Sequence, residues 1–111
     1  MIKTLNLKEV ASVKDCGPII DLEIEQAKKE GVEVIKIIHG YGSHGVGGDM
    51  LKETRLHLSY LKRSRVIKNF FVGGQWNLFN GEVTDLLKRC KSVAGDIDLN
   101  SGNPGITVVE V

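Results

Sequence analysis

Cysteine is scarce in this chain and never paired. Cys16 and Cys90 stand alone with no CxxC spacing, so no metal cluster is expected. Both read as free, packing thiols of a reducing compartment. No cofactor is implied. Excess charge is lacking too: 15 basic and 14 acidic residues leave a net +1, so no global field draws the chain to nucleic acid or membrane, and any basic footprint has to be local. No apolar run approaches the ~18 residues that span a bilayer, and no secretory hydrophobic core opens the sequence. The expectation is a cytoplasmic protein without a membrane partner. Low-complexity tracts and repeats are missing as well. What remains is ordinary for a globular domain: 41% hydrophobic and 26% charged over 111 residues, enough for one domain with a real core.

Hydrophobic periodicity divides the chain into seven segments. Residues 2–7 alternate as a first strand. A polar connection follows over residues 8–17. Gly17-Pro18 opens a helix whose Ile20, Ile24 and Ala27 share one face, with acids early, Lys28-Lys29 late and Gly31 as C-cap. Residues 32–38 are nearly all apolar and β-branched, as a central strand covered on both faces requires. A second helix is expected from Asp49 to about Arg65, with Leu51, Leu58 and Leu61 as its apolar stripe. Residues 66–72 form a third strand. Gly73-Gly74 then starts a long connection to about residue 103. Within it Val83, Leu86, Leu87 and Cys90 mark a short helix capped by Asn80, and Trp76 and Phe79 are expected to pin the excursion to the core. An Asn103-Pro104-Gly105 turn leads into the closing strand 106–111. The order β-α-β-α-β-(α)-β predicts a small two-layer α/β sandwich with a mixed sheet and its main helices on one face. The strand-helix-strand units should make the first pairings parallel and right-handed, and the third and last strands should pair antiparallel.

Between the second strand and second helix lies His39-Gly40-Tyr41-Gly42-Ser43-His44-Gly45-Val46-Gly47-Gly48, in which five of ten residues are glycine. Strand, glycine loop and helix start together form a recurrent anion cradle, because bare backbone N–H groups and the helix dipole point at the ligand. Gly40 to Gly45 fit G-x-G-x-x-G, yet the motif follows the second strand instead of the first, and no ribose-binding acid appears ~20 residues on. A triphosphate P-loop is excluded because no Gly-Lys-Ser/Thr follows.

The run Ile35-Lys36-Ile37-Ile38-His39-Gly40-Tyr41-Gly42, the helix behind it and the terminal Pro104-Gly105-Ile106-Thr107-Val108-Val109-Glu110-Val111 together resemble the small MutS-related (Smr) domain, over nearly the whole chain. His39, Gly40 and Gly42 match the H-G-x-G of the family's loop motif; His44 takes its last glycine position, with Gly45 one step later. At the end of the first strand, where the family carries L-D-x-H, the chain has Leu5-Asn6-Leu7-Lys8. The connection after Trp76 is longer than the family's usual one. The resemblance implies one domain over residues 1–111 with an extended connection at about 73–103, and a fold similar to the C-terminal domain of a bacterial translation initiation factor. It also implies nucleic-acid binding, and in several members DNA or RNA cleavage without a metal.

On that basis the expected nucleic-acid contacts are His39, Gly40, Tyr41, Gly42, Ser43, His44 and Gly45 in the loop, and Lys52, Arg55, Arg63 and Arg65 along the basic helix, whose cations outnumber acids six to one over residues 52–68. Such contacts position a phosphate backbone without reading sequence. Tyr41 is the candidate for base stacking. His57 reads as a surface or interface residue of the second helix. An endonuclease would need an acid and a base. His39 is the candidate for proton transfer and Lys8 for charge stabilisation, but Asn6 replaces the family's aspartate and a lysine near pKa ~10.4 is a poor base. The expectation is a nucleic-acid-binding domain, for RNA or DNA. The alternatives are a weak metal-independent endonuclease, or an adaptor for a protein or small anion.

Overall fold

A computed structural model describes residues 2–41 and 47–111. Its sheet comprises β1 (Ile2–Asn6), β2 (Val34–Ile38), β3 (Asn69–Val72) and β4 (Ile106–Glu110). They are ordered β1-β2-β4-β3. β1 runs parallel to β2, and β4 lies antiparallel to both β2 and β3. The α/β sandwich, the parallel β1–β2 pair and the antiparallel β3–β4 pair are as expected; β2 and β3, the strands of the second strand-helix-strand unit, do not pair with each other. The last strand sits between the second and third, so the β2–β3 connection skips over one strand.

Strand alternation sorts side chains to two faces. Ile35, Ile37 and Val109 face α2 (Cys16–Glu30) and α3 (Gly47–Arg63). On α2 the buried positions are Cys16, Ile20, Ile24 and Ala27, and Gly31 closes the helix in the left-handed region at φ 72°. On α3 the buried stripe starts one residue earlier than expected: Met50, Thr54, Leu58 and Leu61 are buried while Leu51 is only half-buried. A shared apolar interior of this kind is worth roughly 1.5–3 kcal/mol per fully buried aliphatic side chain. His57 Nε2 and Asp21 Oδ1, 2.7 Å apart, clasp α3 to α2, which makes His57 an interface residue. The strands start later or stop earlier than the apolar runs that signal them. Leu7–Val10 turns into a short helix, α1, and residues 66–68 belong to the turn before β3. Among the described residues no helix is long and apolar enough to cross a membrane.

The opposite face is not left to solvent. Val34, Phe71, Ile106 and Val108 pack under Trp76, Val83, Leu86, Cys90 and Val93 of the excursion. Its helix α4 (Gly81–Arg89) is capped by Asn80, whose Oδ1 accepts from the Glu82 N–H. Trp76 is fully buried, as expected of a pin. Phe79 is not: it is fully exposed, because the turn over residues 77–80 points it away from the sheet.

A lysine lies under this cover. Lys36, in the middle of β2, has only 7% exposure and donates to Asp96 Oδ1 at 2.8 Å and Asp98 Oδ2 at 2.7 Å. Burial pulls the ammonium's pKa down, but the two carboxylates outweigh it and the net shift is upward. Lys36 and then Asn103 hold the Asp98 carboxyl below its usual range. Asp96 Oδ2 also accepts from Trp76 Nε1 at 3.0 Å. Replacing Lys36 with Met strands two carboxylates and is expected to cost about 3–5 kcal/mol, read as a lower urea midpoint.

Gly73, where the excursion leaves β3, meets the start of β4 so closely that a Cβ there would lie 1.6 Å from the Asn103 carbonyl oxygen. Backbone cannot yield as a flexible side chain does. Gly73→Ala is therefore expected to destabilise by more than about 2 kcal/mol, whereas Gly74→Ala, with nothing within 4 Å of its Cβ position, should leave the denaturation midpoint nearly unchanged.

Candidate nucleic-acid interface

The C-terminal end of β2 meets the turn that precedes β4. The Gly105 carbonyl accepts two backbone N–H groups, from His39 at 3.0 Å and Gly40 at 3.1 Å. Gly40 then takes φ 78°, a left-handed conformation that favours glycine, and Tyr41 emerges exposed. A Cβ on Gly105 would touch Asn103 Oδ1 at 3.2 Å and Tyr41 Cδ1 at 3.4 Å. The turn is itself tied down: Asn103 Oδ1 accepts the Gly105 N–H, and Asn103 Nδ2 donates to Asp98 Oδ1 at 3.0 Å. Hydrogen bonds therefore run unbroken from Lys36 through Asp98, Asn103 and Gly105 to the backbone of His39 and Gly40.

His39 lies inside this junction with no exposed surface. Its Nδ1 donates to the Gly40 carbonyl at 2.6 Å, because a carbonyl can only accept, which leaves Nε2 to accept from the Thr107 hydroxyl at 2.9 Å. That assigns the neutral Nδ1–H tautomer. Burial pushes its pKa down; the Gly40 carbonyl opposes that, and the Arg55 charge adds to the depression. The ring is thus a buried, neutral strut between β2 and β4, with both nitrogens occupied. Lys8 lies exposed in α1 and has no hydrogen bond or ion pair among the described residues. The expected catalytic pair is accordingly one buried, doubly bonded imidazole and one free surface ammonium.

Of the remaining expected contacts, Gly42, Ser43, His44 and Gly45 lie outside the described residues. Lys52 and Arg55 come together on the outward side of α3, where they line a shallow groove with Leu51, Leu56 and Ser59. The Arg55 Nε is buried without a hydrogen-bond partner, a condition that costs about 1–3 kcal/mol. Arg63 ends α3, and Arg65 follows in the turn with φ 62°. From Lys52 to Arg63 the helix rises about 16 Å at ~1.5 Å per residue, so these cations form a line along the helix and not one pocket. Lys52, Arg55, Lys62, Arg63, Arg65 and Lys68 all lack an acidic partner among the described residues, as do Lys8, Lys14, Lys28, Lys88 and Lys91, whereas Lys3, Lys29, Lys36 and Arg89 are each paired with one; what sets the first group apart is its concentration over residues 52–68 with a single acid, Glu53.

Three features of this region escape sequence reasoning. Thr107 as the partner of His39 depends on the β2–β4 register, which pairs Thr107 with Ile37. Leu56 and Tyr60 are 65% and 57% exposed beside the cations, although apolar residues on a helix ordinarily signal core. The charge in mid-strand at Lys36 and the Asp96-x-Asp98 spacing were visible, but nothing in the sequence said that they met.

Comparison of the chain with protein-family models, with curated proteins and with solved structures returned no match.

The buried neutral His39 carries its own pH signature. In the unfolded chain it titrates near ~6.5; in the folded protein it titrates lower. Between those two values the unfolded state binds more protons, so stability should fall as pH drops below about 6.5. An imidazole NMR titration of the folded protein should place the His39 midpoint below that value, and His39→Gln should flatten the stability slope in the same window.

Proposed function

We propose that this domain binds the phosphate backbone of nucleic acid, RNA or DNA, along the outward side of α3 and the adjoining end of β2. The observation that carries the reading is the line of four cations along α3, Lys52, Arg55, Lys62 and Arg63, followed by Arg65 and Lys68 in the turn beyond it, none with an acidic partner among the described residues. Cations without an acidic partner are free to replace the counterions condensed on a phosphate chain. A length of about 16 Å corresponds to roughly five nucleotide steps at ~3.4 Å each along a duplex strand. The exposed rings of Tyr41 and Tyr60 supply faces on which bases can stack. The resemblance of His39-Gly40-Tyr41-Gly42 and its surroundings to Smr domains supports the same reading.

The endonuclease reading draws less support. A general acid or base has to reach the reacting oxygen directly or through one water, and His39 has neither a free ring nitrogen nor exposed surface. Its contribution under the binding reading is to hold the end of β2 in place.

Titration of a labelled oligonucleotide at several salt concentrations tests the proposal. Affinity should fall linearly on a log–log plot, with a slope of about −0.7 to −0.9 for each phosphate neutralised. Lys52→Ala and Arg55→Ala should each weaken binding and reduce the slope by about one phosphate equivalent, similarly for all sequences. Absence of binding to RNA and DNA at low salt would overturn the reading.

A further inference from the structure

Cations and apolar side chains are interleaved on α3. Lys52, Leu56, Tyr60 and Arg63 follow one another at intervals of four, four and three residues, so they stand in a single row along the helix. Leu56 and Tyr60 are exposed in the middle of that row. Beside it, Leu51, Lys52, Arg55, Leu56 and Ser59 line an open, almost wholly apolar groove of about 340 Å³. Glu53, the one acid over residues 52–68, lies elsewhere: with Asp21 and His57 it lines a hollow on the α2 side of the helix. The row thus offers positive charge at each end and apolar surface between.

The Tyr60 ring is braced from behind. It lies against the His57 ring, with centroids 6.3 Å apart and planes inclined at 35°. The imidazole is fixed in turn by Asp21 Oδ1, 2.7 Å from its Nε2. Gly17 backs it closely enough that a Cβ there would come within 3.3 Å of the ring. Contacts that begin on α2 therefore preset the Tyr60 ring, and a side chain fixed before binding loses little freedom when a ligand settles on it.

We propose that α3 takes nucleic acid as an unpaired strand, with phosphates on Lys52 and Arg55 at one end, phosphates on Lys62 and Arg63 at the other, and an unstacked base on Tyr60 and Leu56 between them. This rests on the phosphate-binding reading and narrows it. A duplex keeps its base faces stacked inside and turns phosphate and sugar outward, which would leave the apolar middle of the row facing charge. An unpaired strand has free base faces. Every base has one, so stacking on an aromatic ring holds a strand without reading its sequence. Cations at both ends of the row complement the charge of the strand that runs between them. RNA and DNA share this chemistry.

Anisotropy titrations of the full chain with labelled RNA and DNA of about 12 nucleotides, each as a single strand and as a blunt duplex of the same sequence, test this. Single strands should bind about tenfold more tightly than duplexes. Tyr60→Ala should weaken single-strand binding about five- to a hundredfold while duplex binding and the salt slope hold, because no phosphate contact is lost. Tyr60→Phe, which keeps the ring, should bind as wild type. His57→Ala, which frees the ring, should lower the single-strand preference with the salt slope unchanged. Tyr60 is exposed, so the urea midpoints of its variants should match wild type. Duplexes bound as tightly as single strands, or a preference unchanged by both Tyr60→Ala and His57→Ala, would overturn the unpaired-strand proposal and leave phosphate binding by α3 standing. No binding of any form at low salt would remove both.

Discussion

The ion pair that Lys36 makes with Asp96 and Asp98 governs how this chain closes. A lysine at the centre of an apolar strand would be intolerable alone, since removing an unpaired ammonium from water costs several kcal/mol. It is tolerated because the excursion after β3 delivers two carboxylates within 2.8 Å. Those carboxylates in turn organise what surrounds them: Asp96 holds the Trp76 indole, and Asp98 holds Asn103. One buried charge thus recruits a segment that hydrophobic contact would have placed less exactly in register. A buried salt bridge is weak evidence for net stability, but register is a role for which it is well suited.

The two faces of the sheet are specialised accordingly. On one, α2 and α3 cover a conventional aliphatic interior and present acids and cations on separate outer surfaces. On the other, the excursion supplies a second small core and a polar network. The His39–Thr107 contact lies on the helix face at the end of β2, where Gly105 receives two backbone N–H groups. The candidate interface is therefore supported from behind. The direction in which the chain leaves Ile38 is set by Gly105 and, behind it, Asn103.

Much of the fold could be read from periodicity. Ile20, Ile24 and Ala27 declared α2, the β-branched run declared β2, and Asn80 with its following apolar residues declared α4. The terminal residues of strands were misjudged because apolar character outlasts pairing: Leu7 is buried from within a helical turn, and Ile67 from within a loop. The site was less legible. His39 in a glycine-rich stretch looked like chemistry, yet burial and two hydrogen bonds make it architecture. Phe79 looked like core and is surface. Both errors have one cause, which is that local sequence fixes a residue's neighbours in the chain but not the register that sets its neighbours in space. The placement of Lys52 and Arg55 on the outward side of α3 follows from helical periodicity alone, which needs no such register.

The position of β4 has a consequence for how the fold is acquired. It is the last strand in chain order and lies between β2 and β3, so neither of its neighbours can complete its hydrogen-bond ladder until it arrives. His39 and Thr107, which meet across that ladder, are 68 residues apart. Closing so long a loop is entropically unfavourable before any pairing rewards it, and topologies of this kind fold slowly. During synthesis the apolar edge of β2 therefore waits, unpaired on one side, while the whole excursion is made. The charge of Lys36 in the middle of that edge acts meanwhile as a gatekeeper against pairing with other chains. The same lysine that fixes the finished register thus protects the unfinished one.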